Sequence, residues 1–447
     1  MTTEGRWAHK LVTPEEAVAR VRPGEVVLWA PFAEPSTLMD SFVRQRERLR
    51  GTVMAHNTPV VPFPWLDPDF GDYFRIYENF PGVNTREAVR NGWAEYIPWP
   101  FGLSRRERAS IPERRNLYAR PDIYLTRITE PDGDGYVSFG TFPWYAQEAV
   151  TGARLVIGEL DPTLVRTNAC AHISQMDCLV PAAPAAKGPR RALPVTPPEE
   201  LEVAQVIGSL AAELIHDGDT IQVGTGPASE SMVEFLRQRQ DLGVHSELIF
   251  PSIVELVRDG VITGARKSVD GGKVVTAGLF LHPDDQQGPE ALRFVGDHPD
   301  LFDFRSIGYV ANVKTVTEQE NIVAVNNVLA CDLTGQVVVN NLGTTPIGGI
   351  GGNFDFTVGA HYAKGGRSIH CLMSTAKGGT LSRIVPQHPG GAVVSIPRTM
   401  VDYLVTEYGV VNLEGRSLRE RARAIIAVAH PDFRGELEAA ARKLELV

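Results

Sequence analysis

Apolar positions along this chain follow two periods in alternation: short runs of strand length, and longer stretches at helical spacing. In "PEELEVAQVIGSLAAELIHDGD", Leu201, Val203, Val206, Ile207, Leu210 and Leu214 recur at helical spacing behind an acidic first turn. Acidic residues there favour the positive end of a helix dipole, so the pattern predicts a helix. It ends at a His-Asp-Gly-Asp turn, and "TIQVGT" then reads as a strand.

The same order of elements occurs earlier. Residues 23–56, "PGEVVLWAPFAEPSTLMDSFVRQRERLRGTVMAH", resemble residues 217–249, "DGDTIQVGTGPASESMVEFLRQRQDLGVHSELI". Each copy has a glycine and an acidic residue, a short apolar strand, a small-residue loop, and a helix ending in "FVRQR" or "FLRQR". A glycine and another apolar segment follow. The offset of about 192–194 residues is the signature of a duplicated domain. Strands alternating with helices in both halves predict two tandem, similar, open α/β domains. A chain of 447 residues is too long for one ordinary core. Residues 181–200, "PAAPAAKGPRRALPVTPPEE", hold six prolines and little that could pack, as an extended connector does. The expected domains are therefore residues 1–190 and 191–447.

Within the second copy, "DLGVHSELIFPS" (241–252) sets Glu247 beside the apolar run Leu248-Ile249-Phe250. A carboxylate there is costly to bury without a partner; the alternative is that the strand starts later and Glu247 faces water. The first copy has Ala55 opposite Glu247, and "APFAE" opposite "GTGPA". Carboxylate and Gly-x-Gly loop are present together in one copy and absent together from the other. A purely structural role would be expected in both, so the asymmetry favours function.

Two glycine-rich stretches accompany it. In "VGTGPAS" (223–229) the backbone can approach a ligand closely, and a helix start attracts negative charge. It lacks the Gly-Lys-Ser/Thr of a phosphate loop and the full spacing of a dinucleotide fingerprint, and a tight structural turn is the other reading. "TTPIGGIGGNFDF" (344–356) has four glycines in five positions among apolar residues, which favours ordered ligand contact over a linker. Downstream, Lys364, Arg367, Lys377 and Arg383 could hold phosphates as a group, or be solvated loop cations. His172, His245, His361, His370 and His430 have neither metal-ligand spacing nor a nucleophilic partner, so no metal is expected.

Composition narrows the function classes. A net charge of -10 argues against nucleic acid or an anionic membrane as the main partner. No apolar run nears the roughly 18–20 residues that span a bilayer, and the first residues lack an apolar leader segment. The four cysteines contain no C-x-x-C pair, so a reduced cytoplasm is expected.

Taken in series, "IQVGTGPAS", "LGVHSELI" and "GGIGGNFDF" resemble the family I coenzyme A transferases, in the acetyl-CoA hydrolase and 4-hydroxybutyrate CoA-transferase branch. The resemblance covers nearly the whole chain, including "EPDGDGYVSFG", "STAKGGTLSRIVP" and "TEYGVVNLEGRSLRERARAIIAVAHPDFR". It implies an active site near the interface of the two domains, with Glu247 as covalent nucleophile. It also implies that Gly224, Thr225, Gly226, Pro227 and Ala228 line the thioester and CoA, and that Gly349, Gly351 and Gly352 form a second CoA loop. Lys377 is the expected phosphate ligand. CoA enters as a thioester substrate, with no permanently bound cofactor. The partners are an acyl-CoA and a small carboxylic acid, with no nucleic acid and no membrane; a homo-oligomer is left open. The chain departs from the family at Phe250-Pro251-Ser252, at Asn353, where glutamine is usual, and at Ala330-Cys331, where Glu-Val is common. An acyl-CoA hydrolase on this scaffold, or a silent CoA-ester binding protein, are the competing readings.

Overall fold

The computed structural model describes residues 7–104, 117–118, 120–183, 196–282 and 285–447. Most of the proline-rich connector thus lies outside the described residues. The chain clusters into two compact units, Met1–Pro194 with Val275–Val310, and Val195–Val274 with Ala311–Val447. The segment Val275–Val310, which the sequence reading kept with residues 191–447, therefore groups with the first unit. A proline-rich stretch marks where a chain leaves a domain but carries no sign of a later return. Side-chain bonds hold the segment there: Asn168 Nδ2 donates to Asp303 Oδ1 at 2.6 Å and Ser306 Oγ to Glu148 Oε1 at 2.7 Å.

The first unit is built on seven parallel strands, β1 (Val26–Trp29), β2 (Thr52–His56), β3 (Phe74–Glu78), β4 (Ala94–Tyr96), β5 (Ile123–Ile128), β6 (Leu155–Leu160) and β7 (Cys178–Pro181). They lie in the order β4-β3-β2-β1-β5-β6-β7. β1 is buried along its whole length, as expected of a parallel strand covered on both faces. Helix α1 (Ser36–Arg44) turns Leu38, Met39 and Phe42 inward, and Trp29, Met54, Phe63 and Trp65 join them in one core cluster.

In the second unit β8 (Thr220–Val223), β9 (Gly243–Ile249), β10 (Ile322–Asn327), β11 (Arg367–Cys371) and β12 (Tyr403–Thr406) run parallel in the order β9-β8-β10-β11-β12. β13 (Gly409–Asn412) adds an antiparallel edge. The order matches β2-β1-β5-β6-β7 of the first unit, so the repeat seen in sequence is a repeat of topology. One detail shifts. Val26 pairs with Val53, and Thr220 with Gly243. Counting four residues on, Asn57 rather than Ala55 stands level with Glu247. The sequence match equated Gly51 with Gly243, but Gly51 precedes its strand whereas Gly243 opens its own. Neither Ala55 nor Asn57 is a carboxylate, so the asymmetry survives.

Helix α2 (Pro198–Ala212) forms where the spacing predicts it, but turns another face inward. Ala204, Ile207, Gly208 and Ala211 are buried, while Leu201 and Val206 are exposed. The small residues bring α2 close to helix α3 (Pro227–Met232): a side chain at Gly208 would meet the backbone of Ser231 and Met232. Close approach outweighs the larger apolar side chains in choosing the buried face. Among the described residues no helix is long and apolar enough to cross a membrane.

Candidate active site

In an open parallel sheet, ligands gather beyond the carboxyl ends of the strands where the order reverses. β8 has β9 on one side and β10 on the other, so its end is such a point. Residues Gly224–Gly226 leave the sheet there, and Pro227 opens α3. Gly226 has φ +129°, a backbone that side chains rarely adopt, and its N–H donates to Glu230 Oε1 at 2.7 Å.

Glu247 lies on β9 itself, so the strand does not start later. Strand residues two apart share a face, which puts Glu247 on the side of His245. The His245 ring meets Phe356 edge-on at 6.3 Å, and Phe356 belongs to helix α5 (Asn353–Tyr362), which follows the second glycine run. Helix α4 (Pro251–Arg258) follows β9 with only Phe250 between them, and Pro251 occupies its first position.

The Gly352 N–H donates to Glu247 Oε2 at 2.9 Å. A side chain at Gly352 would stand 2.5 Å from that oxygen, so only glycine allows this approach. Part of the Glu247 side chain retains surface contact, yet protein crowds the carboxyl group. Loss of solvation pushes its pKa up to about 8; the Gly352 hydrogen bond opposes this, and the nearby Asp355 charge adds to it. At Ser246 the sheet opens: its Oγ accepts from Val223 N–H at 3.1 Å and donates to Leu248 O at 2.7 Å, where a strand ladder would continue.

The structure thus joins Glu247 to Gly352 and sets Gly224–Ala228 at the end of the neighbouring strand. Gly349 and Gly351 lie in the turn leading to α5, Gly351 with φ +58°. Lys377 stands apart, exposed on the turn of a small hairpin with φ +53°; its side chain makes no hydrogen bond or ion pair among the described residues. Lys364 and Arg367 are already paired, Lys364 with Glu320 at 3.0 Å and Arg367 with Asp219, so neither is a free phosphate ligand. Phe250 and Phe356 are buried near the carboxylate's strand and helix, whereas Phe354 and Cys331 pack into a separate core with Leu333 and Leu404.

Two residues escape sequence reading, Asn326 and Asn327 at the end of β10. Asn327 Nδ2 donates to Thr225 O at 3.0 Å and to Ser229 Oγ at 2.5 Å. Asn326 and Gln222, both buried, exchange amide hydrogen bonds at 2.9 and 3.1 Å. Their only signal in sequence is position at the end of a strand whose place in the sheet was unknown.

A family model described as the acetyl-CoA hydrolase/transferase C-terminal domain matches residues 288–441. The 4-hydroxybutyrate coenzyme A transferase of Clostridium kluyveri is 36% identical over 441 residues, 98% of this chain and 98% of its own length. The chain belongs to the acetyl-CoA hydrolase/transferase family. Within it the chain groups with the CoA transferases: the succinyl-CoA:cyclohexane-1-carboxylate CoA transferase of Geobacter metallireducens is 31% identical over 451 residues, 99% of this chain and 98% of its own length. A RipA structure from Yersinia pestis superposes with a TM-score of 0.87 at 31% identity, with each chain covered completely. That likeness extends over both of the α/β sheets described above.

Proposed function

We propose that the protein moves CoA between an acyl-CoA thioester and a free carboxylic acid, with Glu247 as covalent nucleophile. The observation that carries this is the Gly352 N–H at 2.9 Å from a crowded, poorly solvated Glu247 carboxylate. A carboxylate attacks a thioester slowly in water; one partly desolvated and aimed at the carbonyl attacks faster. Glu247 adds to the thioester carbonyl, the thiolate leaves, and a mixed anhydride remains. The thiolate then adds to the glutamyl carbonyl and expels the acyl group as a carboxylate, leaving a glutamyl–CoA thioester. An incoming carboxylate repeats these steps in reverse order.

At each addition to the glutamyl carbonyl, negative charge collects on an oxygen of Glu247. The Gly352 N–H is at the distance from which backbone donors stabilise such an oxyanion, and losing one such donor costs about 3–4 kcal/mol in other enzymes. Gly224–Ala228 and the Gly349–Gly352 run are proposed to line the thioester and CoA, with Lys377 reaching a phosphate. Relatives named for 4-hydroxybutyrate and cyclohexane-1-carboxylate support a monocarboxylate acceptor. Four cysteines with free thiols support a reducing, cytoplasmic setting.

Incubation with an acyl-CoA and no acceptor should leave CoA on Glu247, detected by mass spectrometry of the protein. Glu247→Ala should lose both adduct and turnover; full activity in that variant sinks the assignment. Buried Phe250 and Phe356 favour a site that excludes water from the activated ester. Free thiol should therefore appear slowly without acceptor and quickly once a suitable acid is added. Fast release that no acid changes would make water the acceptor and the protein a hydrolase.

A further inference from the structure

We propose that Asn327, backed by Asn326, is a positioning residue for acyl transfer, holding the Gly224–Gly226 loop in the shape that receives the thioester beside Glu247. The proposal rests on the reading of Glu247 as nucleophile.

Three observations converge on it. The Asn327 amide ties two parts of the loop and helix α3 together, since its Nδ2 reaches both Thr225 O and Ser229 Oγ. Ser229 Oγ in turn lies 2.5 Å from Gly224 O, so one short chain of bonds spans the loop from Gly224 to α3. The glycines fit these amides closely. A Cβ at Gly226 would stand 2.6 Å from Asn327 Nδ2, and one at Gly224 would stand 2.5 Å from Asn326 Oδ1. The loop's shape and the two amides are therefore matched as a set; glycine there serves the asparagines as well as any ligand.

The second observation is the duplication. Val27 pairs with Ile123, and Ile221 with Val323. Counting along both strands, Thr126 and Arg127 of the first copy stand where the second copy has Asn326 and Asn327. Neither is an amide, and Arg127 forms an ion pair with Asp161. The amide clamp therefore occurs only in the copy that carries Glu247 and the Gly-x-Gly loop, which a role in the shared fold would not require.

The third is adjacency. Ser246 Oγ binds Val223 N–H, so the first residue of the loop follows directly on the point where β8 faces the residue before Glu247. A loop shifted here moves whatever it presents to the carboxylate, and a misplacement of about 1 Å can cost 10²-fold in rate.

Asn327→Asp keeps the side chain's shape and removes its donors. In the full-length protein it should slow CoA-adduct formation and lower kcat by about 10²-fold. The KM for the acyl-CoA should change less than about threefold, because uniform binding is untouched. Asn327→Gln should recover part of the kcat, since it restores the donors. A role in folding alone would lower the melting temperature and the fraction of active sites, leaving the rate per active site unchanged, and that result overturns the proposal. So does a folded Asn327→Asp with kcat within twofold of the parent. Ser229→Ala, which deletes one atom of the same chain of bonds, carries the test if Asn327→Asp does not fold; unchanged kcat in it counts against the proposal equally. If the parent protein forms no adduct, the nucleophile assignment fails, while the kcat comparison still judges the clamp.

Discussion

At the scale of single residues, Glu247 behaves as its surroundings dictate. Burial raises its pKa to about 8, so in the free enzyme the ionised nucleophile becomes common only as pH climbs through that value. We expect kcat/KM for an acyl-CoA to rise with pH and level off above about 8, a limb that disappears if another group is the nucleophile. The same shift sets a stability trend. Between the ordinary carboxylate range and about 8 the folded state keeps a proton that the unfolded chain has released, so stability falls with rising pH across that window. Glu247→Gln should therefore melt higher than the parent at pH 9 and no differently near pH 4; equal melting at both would remove the burial argument. Gly352 is the second residue with a sharp demand. Its backbone φ of -87° suits any residue, so Gly352→Ala should fold, yet the new methyl would stand 2.5 Å from the Glu247 carboxylate. A loss of at least about tenfold in kcat is the expected result, in line with the cost of a displaced donor, with a lower melting temperature as well because the buried Phe356 ring would lie 3.0 Å from the methyl.

At the scale of elements, what matters is which loops the strands carry. The β8 loop and the turn into α5 converge on one end of one sheet because both follow, or pack against, the strands at its point of reversal. The hairpin with Lys377 differs: it is exposed, and its lysine occupies a backbone region that favours glycine. Lys377→Gly consequently removes the charge without a cost in stability. If the ammonium holds a CoA phosphate, KM for the acyl-CoA rises several-fold while kcat holds. An unchanged KM in steady-state assays returns Lys377 to solvent.

At the scale of the molecule, one cut in the chain separates the strands of the two sheets, but no single cut separates the two compact units. Residues 275–310 belong with the first unit, through bonds such as Leu279 N–H to Thr141 O at 3.1 Å and Ile307 N–H to Trp144 O at 2.8 Å. Residues 1–194 produced alone should therefore be poorly folded, and adding residues 275–310 on a linker should recover protection from proteolysis. A fully protease-resistant 1–194 fragment would show that the returning segment is dispensable.

Much of this architecture was legible in local patterns. Alternating strand and helix periods, the repeat at a near-constant offset, and the confinement of Glu247 and Gly-x-Gly to one copy can all be read along the chain, and they predict two α/β sheets without giving their strand order. The face that α2 buries could not be read this way, because Gly208 earns its place only when Met232, 24 positions later, packs against it. Nor could the status of Arg367, whose charge looked available until Asp219 met it across the sheet. Asn326 and Asn327 are the plainest case. An amide at a strand's end has no meaning until the order β9-β8-β10 sets that strand beside the loop it clamps, and strand order is fixed by long-range packing, which no local pattern encodes.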